Sequence, residues 1–130
     1  MKAHIFNTVK AADIKEISIT GKRWFQRSYG NTYHSVSVAV VVSRQTANNI
    51  DPESYPLTER SSDVWIDLGI VDFAYGYERH FENTALSILI EAVIDAPEHW
   101  KKYGYICQVA AELNAHYSEN VYDVSRKKDL

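Results

Sequence analysis

Two stretches of the chain concentrate side chains able to bind or react. The first, Arg23-Trp24-Phe25-Gln26-Arg27-Ser28-Tyr29-Gly30-Asn31-Thr32-Tyr33-His34, sets guanidinium groups, aromatic rings, an amide and an imidazole close together. Guanidinium groups pair with phosphate oxygens and aromatic faces stack on flat bases, so Arg23, Arg27, Tyr29, Asn31, Tyr33 and His34 form a candidate ligand-binding set. The competing structural reading makes Trp24, Phe25 and Tyr33 cross-strand packing pairs covered by the stems of Arg23 and Arg27. The second stretch is Tyr75-Gly76-Tyr77-Glu78-Arg79-His80, just ahead of a predicted helix whose first N–H groups are open to an anion. Here Tyr75, Tyr77 and Arg79 are the candidate contacts, and Gly76 lets the backbone come close. Its structural counterpart is a tight strand-to-helix turn in which Tyr75 and Tyr77 fill core space and Asn83 or Thr84 caps the helix.

Catalytic constellations are harder to assemble. His34 and Ser35 are neighbours on a predicted strand, so they point to opposite faces and cannot make a nucleophile–base contact. Asp67 and Asp72 differ by an odd number of positions and face opposite sides of a regular strand, which rules out a carboxylate pair. The histidines at 4, 34, 80, 99 and 116 are scattered, with none at helical metal-ligand spacing. The one cysteine, Cys107, excludes an intrachain disulfide and lies in an apolar helical stretch that favours a reduced, inert thiol. Nothing here asks for an enzyme, a metal or a cofactor.

Positioning these residues requires a mixed fold. Ile14–Phe25 and Thr32–Val42 read as strands; the second sets Val36, Val38, Val40 and Val42 on one face and Tyr33, Ser35, Ser37 and Ala39 on the other. Tyr29-Gly30-Asn31 tolerates positive φ, so the two strands fold back as an antiparallel hairpin. Polar Ser43–Ser62 predicts a long surface loop. Trp65–Phe73 resumes strand character, with both faces largely apolar, which predicts a central strand. A helix follows to about Ile94, with Phe81, Ala85, Leu89 and Ala92 on one stripe, widened by Leu86, Ile90 and Val93. Asp95-Ala96-Pro97-Glu98 restarts a short helix that ends near Gly104, and a further helix over Tyr105–His116 buries Ile106, Val109, Ala110 and Leu113. Asn120–Ser125 reads as a last strand able to pair with the hairpin. The expectation is a single α+β domain over 1–130: an antiparallel sheet of three to five strands, helices packed on one face, and the hairpin tip near the Tyr75–His80 turn.

Composition sets outer bounds. A chain of 130 residues buries about two-thirds of its unfolded surface in one core and needs no staple. A net charge of −3 with interspersed signs argues against a surface shaped for duplex DNA. Local cationic patches remain at Lys22/Arg23/Arg27 and at Arg126/Lys127/Lys128, the second readable as a solvated, frayed tail. Neither a signal-like apolar run at the start nor a span of about 20 apolar residues is present, which predicts a soluble, cytoplasmic protein.

The hairpin motif Gly21-Lys22-Arg23-Trp24-Phe25…Tyr29-Gly30-Asn31-Thr32-Tyr33-His34-Ser35-Val36 resembles that of a family of small proteins encoded by tailed bacteriophages and prophages. Two further elements carry the likeness: Phe73-Ala74-Tyr75-Gly76-Tyr77 leading into a helix with Thr84-Ala85-Leu86, and the basic ending Asp123-Val124-Ser125-Arg126-Lys127-Lys128-Asp129-Leu130. The resemblance implies accessory biology in the cytoplasm of a bacterial host: a non-enzymatic protein that binds and blocks, or sequesters, a host defence component. The partner is then a host protein or a nucleotide-like signal. In the sequestering version Arg23 and Arg27 hold phosphate, Tyr29, Tyr33 or Tyr77 stacks, and Asn31 or His34 hydrogen-bonds a base. The alternative is an accessory protein that binds single-stranded nucleic acid with the same surface. An exposed strand edge is compatible with a homodimer.

Overall fold

Alternating β-branched residues build the centre of the sheet. The structure, a computed structural model, describes residues 8–57, 62–76 and 79–130; in it β1 spans Glu16–Gln26 and β2 spans Asn31–Ser43. They pair antiparallel from Glu16 opposite Val41 to Gln26 opposite Asn31. Gly30 closes the turn at φ 70°, where a side chain would be strained, and its amide bonds the Gln26 carbonyl at 2.8 Å. Ile17 and Ile19 of β1 and Val36, Val38, Val40 and Val42 of β2 face one side and are buried.

The predicted loop over 43–62 instead opens with a helix, α1 (Arg44–Ile50). Ser43 caps it by accepting the Thr46 amide at 3.2 Å, and Ala47 alone among its residues is fully buried. One buried position gives no periodic signal, which is why the segment reads as loop. Residues 58–61 lie outside the described residues.

Strand β3 (Asp63–Tyr75) pairs antiparallel with β2 and forms an edge, since the strand order is β3-β2-β1-β4. The sequence predicts a central strand, and two bulges explain the error. Val38 opposes Gly69 while Ala39 opposes Asp67, so Leu68 is an extra residue; a second shift falls between His34 and Val36. Each bulge moves the alternation by one residue and puts apolar side chains on both faces without a strand on both sides.

Helix α2 (His80–Ala92) buries Phe81, Ala85, Leu86, Ile88, Leu89 and Ala92 against the sheet. A 3-10 turn over Glu98–Lys102 holds the fully buried Trp100, and helix α3 (Ile106–Glu112) buries Ile106, Val109 and Ala110. Gln108 caps α3 by accepting the Gly104 and Tyr105 amides, each at 2.9 Å. Strand β4 (His116–Val124) then lies beside β1 in parallel, from Glu16 opposite His116 to Trp24 opposite Val124. The α+β class and the helices on one face agree with expectation. The parallel β4 makes the sheet mixed, because the crossover through α2 and α3 returns the chain to the end at which β1 starts. Among the described residues no helix is long and apolar enough to cross a membrane.

Candidate binding face

With the helices all on one side, the opposite face of the sheet is open. Its hairpin end carries a row of aromatic rings. Trp24 opposes Tyr33 across β1 and β2, and Tyr33 opposes Tyr75 across β2 and β3. Tyr33 stacks on Trp24 at 5.7 Å between centroids and on Phe73 at 4.7 Å, while Tyr75 meets it edge-on at 5.7 Å. Phe73 belongs to this row only through the second bulge: without the extra residue it would oppose His34 and point at the helices. These spacings are close to the distance between strands, so the stacked rings turn faces to one another and edges to solvent. Phe73 and Tyr75 remain 46% and 51% exposed. The basic tail is not frayed as one reading predicts: a 3-10 turn at Lys127–Asp129 sets the Lys127 ammonium 5.0 Å from the Phe73 ring centre.

The residues proposed from sequence as one ligand set divide among separate places. Tyr33 and Tyr75 lie in the open-face row. Arg23 and His34 oppose each other on the helix-facing side of the same strands. Arg23 bonds Asp123 at 2.9 Å in a shallow groove of about 410 Å³ with Phe25, Thr32 and Val124. His34 is only 1% exposed, its Nε2 within 2.8 Å of the Thr84 hydroxyl. Arg27 and Tyr29 sit on the turn, Tyr29 77% exposed, and Asn31 begins β2 half-buried. Tyr77 lies outside the described residues. The structural counterpart needs correction too: Tyr75 does not fill core space, and Asn83 and Thr84 lie within α2 rather than at its cap. Gly76 admits His80 rather than a ligand, since a Cβ there would stand 2.5 Å from that ring.

Arg79 is committed elsewhere, to a network that sequence reasoning missed. Its guanidinium bonds Glu82 at 2.6 Å and both oxygens of Glu119 at 2.7 and 2.6 Å. Glu82 is 1% exposed on α2, and its other oxygen accepts from the Cys107 amide at 3.4 Å and the Tyr117 hydroxyl at 3.3 Å. The single Tyr117 proton is shared between the two carboxylates, with the shorter contact, 2.8 Å, to Glu119. Burial, then the bond to Glu119, pushes the Tyr117 hydroxyl far above its usual range. Burial draws the Glu119 carboxyl upward, but the bonds from Arg79 and Tyr117 prevail and hold it below the ordinary value. The Cys107 thiol is pushed up by burial first and by Glu82 second, away from the reactive thiolate. A second cluster joins the 3-10 turn to α3: Glu112 accepts from the Trp100 indole and the Tyr103 hydroxyl, each at 2.7 Å, and bonds His99. These three donors hold its carboxyl at about 2.

Chemically, both clusters spend their charges on one another. Among the described residues no group of three or more His, Cys, Asp or Glu side chains is arranged to hold a metal ion. Comparison with family models, curated proteins and solved structures finds no match to this chain.

Proposed function

We propose that this chain is a non-enzymatic accessory protein of phage or prophage origin that binds and blocks a protein component of host defence in the bacterial cytoplasm. The phage setting rests on the resemblance of the hairpin and Tyr-Gly-Tyr motifs. The binding mode rests on one observation: the Trp24–Tyr33–Phe73–Tyr75 row stands on an uncovered sheet face. Aromatic anchors ringed by cations and polar groups are the usual energetic centre of a protein interface. Lys22, Arg27 and Lys127 supply such a rim around this row. A base-stacking platform needs ring faces turned to solvent, whereas Trp24, Tyr33 and Phe73 are stacked on one another, and Lys127 lies over Phe73. That geometry favours a protein partner over a single-stranded nucleic acid. It also favours blocking over sequestering, because Arg23 and His34 lie across the sheet from Tyr33 and Arg79 is held by two carboxylates.

A photo-crosslinking residue in place of Phe73, with one in place of exposed Tyr105 on the helical side as control, tests the reading inside host cells. One discrete protein adduct from position 73, absent from position 105 and lost with Tyr33→Ala, is expected. A thermal shift with a mononucleotide or cyclic nucleotide, or oligonucleotide binding that weakens steeply with salt, would replace it.

A further inference from the structure

The two edges of the sheet are defended unequally. Strand β3 is interrupted by two bulges, carries Asp63, Asp67 and Asp72, and gives its Trp65 carbonyl to the Tyr55 hydroxyl at 3.1 Å. Bulges, charges and covering groups of this kind keep an edge from pairing with another chain. Strand β4 lacks them: His116–Val124 holds one unbroken register with β1 and contains no proline, glycine, lysine or arginine. Its two acids are committed within the molecule, Glu119 to Arg79 and Asp123 to Arg23.

The phase of the ladder identifies which backbone groups are left over. The His116 amide bonds the Lys15 carbonyl at 3.2 Å, so in this parallel pairing the even-numbered residues of β4 address β1 and the odd-numbered ones point away. Tyr117, Glu119, Val121 and Asp123 therefore offer their amides and carbonyls along the outer edge, and no described strand lies beyond them. A second copy of β4 answers all of these groups in one register. Run antiparallel and centred on Asn120, it sets Tyr117 against Asp123 of the other copy and Glu119 against Val121, each pair exchanging both of its bonds. Sliding the copies by two positions leaves an outward residue of each strand unpaired, and sliding by one sets outward groups against inward ones. On the open face the same register brings Ser118 opposite Tyr122 and Asn120 opposite its own counterpart, an amide that both donates and accepts. No like charges stand directly opposite each other.

We propose that the chain forms a reversible homodimer through β4, joining two four-stranded sheets into one across a two-fold axis at Asn120. That axis stands perpendicular to the sheet, so both open faces look the same way and the helices of both copies share the other side. A pairing of nine residues a side buries less than a standard stable interface, so monomer and dimer exchange with concentration. The pairing stands on the edge itself. Its consequence, two aromatic rows on one surface fit for a partner with two equal sites, rests on the function proposed above.

Sedimentation and amide hydrogen exchange of the free protein test this together. From micromolar to millimolar protein the mass is expected to rise from 14.9 kDa toward twice that value. With that rise the amides of Tyr117, Glu119, Val121 and Asp123 are expected to gain protection on the order of tenfold, while those of Ser118, Asn120 and Tyr122, already bonded to β1, change little. Asn120→Lys, at an exposed position, sets two ammonium groups against each other at the axis and is expected to weaken the dimer more than tenfold. A monomer at every concentration, protection of the odd-numbered amides that does not depend on concentration, or a dimer indifferent to Asn120→Lys would overturn the proposal. Because the wild-type exchange needs neither a variant nor a partner, and Phe73 takes no part in it, a failed edge is distinguishable from a failed binding face.

Discussion

The open-face row and the Glu82 network contain similar densities of functional side chains, yet they do opposite things with them. Around Glu82, each strong donor or acceptor meets another within the molecule: Arg79, Tyr117 and the Cys107 amide close on one buried carboxylate, and Glu119 accepts from Arg79 and Tyr117 beside it. In the row, rings meet rings but leave Phe73 and Tyr75 about half in water. Perturbed acids and bases are a frequent guide to active sites, but here they mark a brace joining α2, α3 and β4. The surface with unmet demand is the apolar one.

This contrast can be broken or sharpened by experiment. The largest stability loss is expected from Glu82→Ala, which leaves the Cys107 amide without its acceptor and removes the buried carboxylate from Arg79 and Tyr117, both of which then keep only Glu119. About 2 kcal/mol should be missing in urea unfolding, with partner capture through position 73 retained. Next comes Glu112→Gln. Its carboxyl is held at about 2 by Trp100, Tyr103 and His99, below the usual 4.5, so its contribution is complete above pH 4.5 and disappears as pH falls toward 2. The variant's lower urea midpoint at pH 7 should converge on that of the wild type at the acid end of that range. Phe73→Ser reverses the pattern: about 1 kcal/mol or less of stability is lost with one stacked pair, while the affinity of the crosslinked partner drops more than tenfold. Smallest is Lys127→Ala, where loss of one exposed cation–π contact costs about 0.5 kcal/mol by thermal melt.

The strands and the buried stripes were readable because their signals are local. Val36 to Val42 alternate cleanly, and Phe81, Ala85, Leu89 and Ala92 repeat at helical spacing. Where two signals overlap, reading fails. In β3 the bulges move Gly69 and Val71 to the helical side and leave Trp65, Asp67 and Phe73 on the open one, although all five stand at alternate positions in sequence. The candidate site was legible as residue types but not as a place. Arg23 and Tyr33 belong to the same hairpin, and strand parity alone already separates their faces. Arg79 and Glu119 are 40 positions apart, so nothing local could signal that this arginine is occupied. Glu82 was concealed by its own type, since a glutamate beside a helix start reads as solvent-facing.

The parallel placement of β4 also shapes how the molecule is made. Its partner strand lies 100 positions earlier at the Arg23–Asp123 pair, the kind of distant closure that slows folding far more than it alters stability. Synthesis from the amino end delivers the β1–β2 hairpin and β3 well before β4, so the outer edge of β1 has no strand to pair with while α2 and α3 are being added. Until β4 pairs, the β1 edge leaves backbone hydrogen-bonding groups open to any extended chain nearby. Arrival of β4 seals that edge, and the clasps from Arg79 and Arg23 secure the strand at two points along its length.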